Sequence, residues 1–200
     1  MTTNTLIRQV FVTPLGAMLV AMLTGFFLPG YSSISQHISE MTVLDHPAAL
    51  ITRGAAIVTG ASLLLFSLGL ILSFSSRFAF TAIASALGGA AMMSGGIFIM
   101  GHPLHGFYAI ALFNVLTPAF FAAELGQNQR IIKLSLAASL ITLVYFWLQI
   151  SNFDPQGLRG LTQRIAVVVM FGWYAIAGYG LLSSGVVPSK TNRAASTDPA

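Results

Sequence analysis

Stretches of about 20 mostly apolar residues, each closed by charge, proline or glycine, recur six times along the chain. A hydrocarbon core of roughly 30 Å takes about 20 residues of helix to cross, so each run has the length of a membrane-spanning helix. The predicted spans are residues 10–28, ending at Pro29-Gly30; 50–73, followed by Ser75-Ser76-Arg77; 78–100, ending at Gly101-His102-Pro103; 104–125; 131–150; and 163–182. Within the fourth, Pro118 removes a backbone donor after Thr117 and predicts a kink. The pattern therefore predicts an all-α polytopic membrane protein, with six transmembrane helices in one compact bundle over residues 1–184. The closing stretch 185–200 is small, polar and proline-containing, and is predicted to be a disordered cytoplasmic tail. The first run is read as a retained anchor, because about 19 apolar residues exceed a signal core and no A-x-A site follows.

Composition narrows the class further. With 56% hydrophobic and 7% charged residues, the chain has too little polar surface to clothe a water-soluble globule. No cysteine is present, which excludes disulfides and thiolate chemistry and leaves oxygen and imidazole groups. The net charge of +4 comes from basic residues scattered singly or in pairs, without the stripe a nucleic acid requires. It is better read as topology. Arg8, Arg77, Arg130, Lys133, Lys190 and Arg193 fall on one side of a six-span arrangement, and Arg53, Arg159 and Arg164 on the other. The positive-inside rule then places both termini in the cytoplasm of a bacterial inner membrane.

The spans themselves read as scaffold. Ala82, Ala86, Ala90 and Ser94 recur every four residues in the third, beside Gly88, Gly89, Gly95 and Gly96, which predicts close packing and a central position in the bundle. No ionisable group stands at mid-span, which disfavours an ion channel or proton-coupled transporter. Glu124 is expected at the cytoplasmic end of span four, paired with Arg130 or Lys133, and Asn114 and Thr117 are expected to hydrogen-bond across helices or around the kink.

Chemistry-bearing residues concentrate on the other side. His37, His46, His102, His105, Glu40, Asp45 and Asp154 all fall in the outward connections or adjoining helix ends. The segment YSSISQHISEM, residues 31–41, is dense in polar groups. As a helix it would set Ile34, Ile38 and Met41 on one face and Ser33, Gln36, His37 and Glu40 toward the other, suited to lying along the membrane surface. In GHPLHG, a proline in the first turn of span four would put His102 near the N-cap and His105 one turn on, with free N–H groups aimed at an anionic oxygen.

Two functional readings follow, beside the plain one in which the histidines sit at a wet interface and the carboxylates pair with Arg53. In the first, Ser35, Ser39, Glu40, Arg53, His102 and His105 bind the head group of a phospholipid or isoprenoid ligand. In the second, His37, Glu40, His102 and His105 hold a divalent metal such as zinc, whose activated water attacks a lipid ester or amide. A structural subunit of a larger membrane complex is a third reading. A serine triad is set aside, since Ser35, Ser39, His37 and Glu40 share one short segment and no G-x-S-x-G elbow is present. No catalytic residue is assigned.

Pro29-Gly30-Tyr31, SSISQHISE, Arg53 at the opening of the second span and GHPLHGFYAIALFNVLTPAFF together resemble the bacterial six-span family catalogued as domain of unknown function 998, over roughly residues 10 to 184. The resemblance is strongest at Ile38-Ser39-Glu40 with the following arginine, and at the proline and histidine of the third connection. There the chain carries Pro103-Leu104-His105, where the family pattern leads one to expect an acidic residue. The resemblance implies a six-helix bundle with no established activity, and points to Ser39, Glu40, Arg53 and His105.

Overall fold

The first apolar run does not form one helix. In the computed structural model, which describes residues 2–183 and only the backbone of 108–109, α1 (Thr3–Arg8) passes through a short 3-10 turn (Gln9–Phe11) into α2 (Thr13–Phe26). Pro14, in the first turn of α2, has no N–H to continue the ladder from α1. The side chain of Gln9 fills the break: it donates to Leu6 O at 3.1 Å and to Ser62 O at 2.9 Å, and accepts from the Ser62 hydroxyl. Leu6 and Ile7 are buried, so packing against the bundle begins several residues before residue 10.

Five further helices follow: α3 (Pro47–Phe74), α4 (Ala79–Ile97), α5 (Tyr108–Leu125), α6 (Gln129–Ile150) and α7 (Arg159–Ser183). No strand occurs among the described residues. Thr3–Phe26, α3, α4, α6 and α7 are long and apolar enough to cross a membrane, and α5 is a shorter apolar helix with Pro118 inside it. The fold is a compact bundle of membrane-embedded helices. The predicted tail, 185–200, lies outside the described residues.

From α2 onward each helix packs on its neighbours in chain order, α1 packs on α3, and α2 closes the ring against α7. The third span is thus a member of this ring and not its centre, packing chiefly on α3 and α5 while Phe80 and Ile83 face outward. Its close contact with α3 uses glycines at a different register from the predicted alanine repeat. A Cβ on Gly60 would lie 2.5 Å from Gly89 O, and one on Gly96 would lie 2.6 Å from Arg53 O, so the backbones touch. Ala90 of the repeat is exposed. Ser67 Oγ donates to Ala82 O at 2.7 Å and so adds a hydrogen bond between α3 and α4.

Both ends of α4 are capped by charge from its neighbours. Glu124, at the end of α5, accepts from Phe80 N at 2.7 Å and Thr81 N at 3.0 Å. It therefore satisfies orphan donors at a helix N-terminus, where a carboxylate also complements the macrodipole, and does not pair with Arg130 or Lys133. At the other end Arg53 donates from Nε to Gly96 O and from Nη2 to Ile97 O, both at 2.9 Å. Arg77 Nη2 donates to Leu125 O at 3.1 Å, closing α5. In the interior, Tyr174 donates to Asn114 Oδ1 at 3.0 Å and Trp173 Nε1 to Ser135 Oγ at 2.9 Å, so the aromatic pair of the sixth span packs inside.

Candidate functional site

At one end of the bundle three connections meet: residues 27–46, 98–107 and 151–158. The polar stretch in the first is not a surface helix. Residues 32–36 form turns and Ile38–Val43 a 3-10 helix, in which Ile38, Met41 and Thr42 are buried against the bundle. Ser33 is buried and Ile34 exposed, the reverse of the amphipathic expectation, because the turn ahead of Ile38 breaks the helical register. The segment is a roof, stitched down by hydrogen bonds. Ile38 N donates to Gln163 Oε1 at 2.6 Å, Leu161 N to Ile34 O at 2.9 Å, and Met100 N to Thr42 Oγ1 at 3.0 Å.

Charged groups fasten the roof to α7. Arg159 donates from Nη2 to Glu40 Oε1 at 3.2 Å and from Nε to Ser35 O at 3.0 Å. Glu40 also accepts from His37 N at 2.9 Å, so these two residues meet through backbone rather than as neighbouring side chains. Arg164 is 3% exposed; it donates to Gln36 O at 3.0 Å, Gly160 O at 2.9 Å and the Tyr31 hydroxyl at 2.9 Å, and lies against the Tyr31 and Phe26 rings. Burial holds the Tyr31 phenol above its ordinary pKa, with Arg164 pulling the other way, so its O–H remains to donate to His37 O at 2.8 Å. His37 Nε2 stands 3.7 Å from Asp154 Oδ2. Burial first, and Arg159 second, lower the His37 pKa, against the weaker pull of Glu40 and Asp154.

Beneath the roof lies a cavity of about 210 Å³, reaching down to Gly88 and Asn114 and touched by every helix from α2 to α7. Its walls are mainly apolar or small, including Met18, Ala56, Ala91, Met92, Gly95, Val167 and Met170. Its polar groups are uncharged oxygens, amides and one imidazole: Ser39, Thr42, Thr52, Asn114, Tyr145, Gln149, Gln163 and His105. No lysine, arginine, aspartate or glutamate lines it. His105 is 8% exposed, with Nδ1 2.7 Å from Phe98 O. A carbonyl only accepts, so Nδ1 carries a proton, and Nε2 has no hydrogen-bond partner among the described residues.

The predicted site residues separate into distinct places. Ser39 and His105 line the cavity. Ser35 and Glu40 belong to the roof clasp with Arg159, and Arg53 is committed to the end of α4. His102 is exposed, stacked on Phe98 at 4.5 Å, with Nδ1 accepting from Leu104 N at 3.1 Å. The helix start expected at Pro103 lies instead at Tyr108, since Gly106 and Phe107 take φ of +71° and +40°, which no α-helix includes. His102 and His105 therefore sit in the turns ahead of α5, without a helix N-terminus between them. Among the described residues no three His, Asp or Glu side chains are placed to hold a metal ion. The set His37, Glu40, His102 and His105 does not assemble, because each is engaged elsewhere: His37 beside Asp154, Glu40 with Arg159, His102 and His105 within the 98–107 connection. Gln149 and Gln163 escaped the sequence reading; the available signal was an amide at the roof-side end of each of two apolar spans.

A family described as protein of unknown function (DUF998) matches residues 11–180. No curated protein and no solved structure matches the chain.

Proposed function

The chain belongs to the DUF998 family, whose description carries no activity, and on that premise we propose that it is a membrane-embedded binder of a lipid-like ligand, held in the cavity beneath the roof. The observation that carries the reading is the cavity's lining: apolar walls inside a bundle, with neutral hydrogen-bonding groups gathered toward the roof and no charge. Such walls suit a hydrocarbon or isoprenoid body, and His105 Nε2 suits a hydroxyl at its polar end. Of the residues picked from sequence, Ser39 and His105 are kept as ligand-binding; Glu40 and Ser35 hold the roof in place, and Arg53 and His102 act outside the cavity. The basic residues at the opposite end favour a bacterial inner-membrane setting with the roof outward and the termini cytoplasmic.

Gly95→Leu tests the reading. A Cβ at Gly95 meets Gly106 Cα and N at 3.7 Å and His105 Cε1 at 3.9 Å, ordinary contact distances, and Gly95 lines the cavity, so a leucine there takes up cavity space. The variant is expected to keep its thermal stability in detergent and to lose most of the lipid that native mass spectrometry detects on the parent protein. Undiminished lipid on the filled variant, or none on the parent, overturns the proposal.

A further inference from the structure

A second cavity, of about 200 Å³, adjoins the first and is lined by His37, Gln149, Asn152, Asp154, Gln156 and Arg159; Gln149 lines both. Its chemistry is the opposite of its neighbour's. Asp154 Oδ1 accepts from Thr162 Oγ1 at 2.8 Å, but Oδ2, in a side chain 8% exposed, has no hydrogen-bond partner among the described residues. His37 Nε2 is likewise buried and unpartnered, 3.7 Å from it. A buried carboxylate oxygen without a donor is costly, and the cost is relieved by a group that brings N–H donors together with positive charge. Asp154 Oδ2 faces His37 Nε2 at 3.7 Å, too long for a full hydrogen bond, so its capacity to accept is left for an ammonium N–H. Burial and Arg159 lower the His37 pKa, so the imidazole does not neutralise the carboxylate beside it.

The rest of the lining suits an anion close by. Arg159 gives Nε and Nη2 to Ser35 and Glu40, which leaves Nη1 uncommitted among the described residues. The side-chain amides of Asn152 and Gln156 stand on the same wall. Donors of this kind recognise phosphate oxygens.

Resting on the lipid-binding reading above, we infer that this polar cavity is the head-group subsite for a phospholipid bearing a primary ammonium, with Asp154 on the ammonium, Arg159 on the phosphate, and the chains passing Gln149 into the apolar cavity.

The test uses full-length protein in mixed micelles holding equimolar phosphatidylethanolamine, phosphatidylcholine and phosphatidylglycerol of identical chains, with retained lipid read by native mass spectrometry. Phosphatidylethanolamine is expected to exceed each of the others by about tenfold, since choline has no N–H to donate and glycerol no charge to offer. Asp154→Asn is expected to bring phosphatidylethanolamine down to phosphatidylglycerol with the total bound unchanged, whereas Gly95→Leu reduces all three. Equal retention, or preference for choline or glycerol, overturns the head-group assignment and leaves the apolar cavity's role standing. A parent protein that retains no lipid overturns both. The ethanolamine-to-choline ratio is measured on the unmodified chain, so the inference stays testable if Asp154→Asn fails to fold.

Discussion

His37 shows how one side chain's surroundings set a measurable property. Its neutral form is favoured in the folded protein by burial and by Arg159, while Glu40 and Asp154 favour the charged form less strongly. A histidine whose folded pKa lies below its unfolded value adds stability that is whole above the ordinary imidazole value and declines as pH falls through it toward the folded one. The melting temperature in detergent is therefore expected to be flat above about pH 6.5 and to fall below it. His37→Gln is expected to flatten that lower limb; a slope unchanged by the substitution would assign it to other groups. Ser39 and His105 line the cavity, and a hydroxyl and an imidazole stand out in an apolar chain. Arg53 was misassigned for a reason no pattern reveals: its partners, Gly96 O and Ile97 O, are backbone carbonyls 43 and 44 residues away.

At the scale of the element, hydropathy located the helices and local geometry ended them. The six apolar runs are all present as helical segments, since burying a backbone in lipid without helical hydrogen bonds is prohibitive. The break at Gln9–Phe11 and the late start of α5 were not legible, because one depends on Ser62 receiving the Gln9 amide and the other on left-handed backbone at Gly106-Phe107. The α3–α4 contact gives a sharp paired test. Gly60→Ala would press a methyl 2.5 Å from Gly89 O and is expected to cost about 1–3 kcal/mol in thermal or denaturant unfolding. Gly54→Ala, on the same helix with open space at its Cβ, is expected to gain about 0.5–1 kcal/mol from reduced unfolded-state freedom. Equal effects at the two glycines would mean that the backbones are not in contact.

For the whole molecule, three connections converge at the roof end and the 75–78 and 126–128 turns lie at the other. Because the chain has no cysteine, single cysteines report position cleanly. Cysteines replacing the exposed Ser32, His102 and Gln156 are expected to react with a membrane-impermeant maleimide in intact cells, and those replacing Ser76 and Gln127 only after the membrane is opened. A split among the first three would break the ring of helices described above; a uniform reversal would keep the fold and invert its orientation.

The capping of α4 bears on how the bundle is made. One terminus is completed by Arg53, already synthesised when α4 emerges, and the other by Glu124, which follows about 45 residues later. During translation, then, the hairpin of α3 and α4 enters the bilayer with its first-made junction closed and its Phe80 and Thr81 amides waiting on a carboxylate still inside the ribosome. A chain cut short before residue 124 lacks the acceptor for those two amides, and the start of α4 is left unsatisfied.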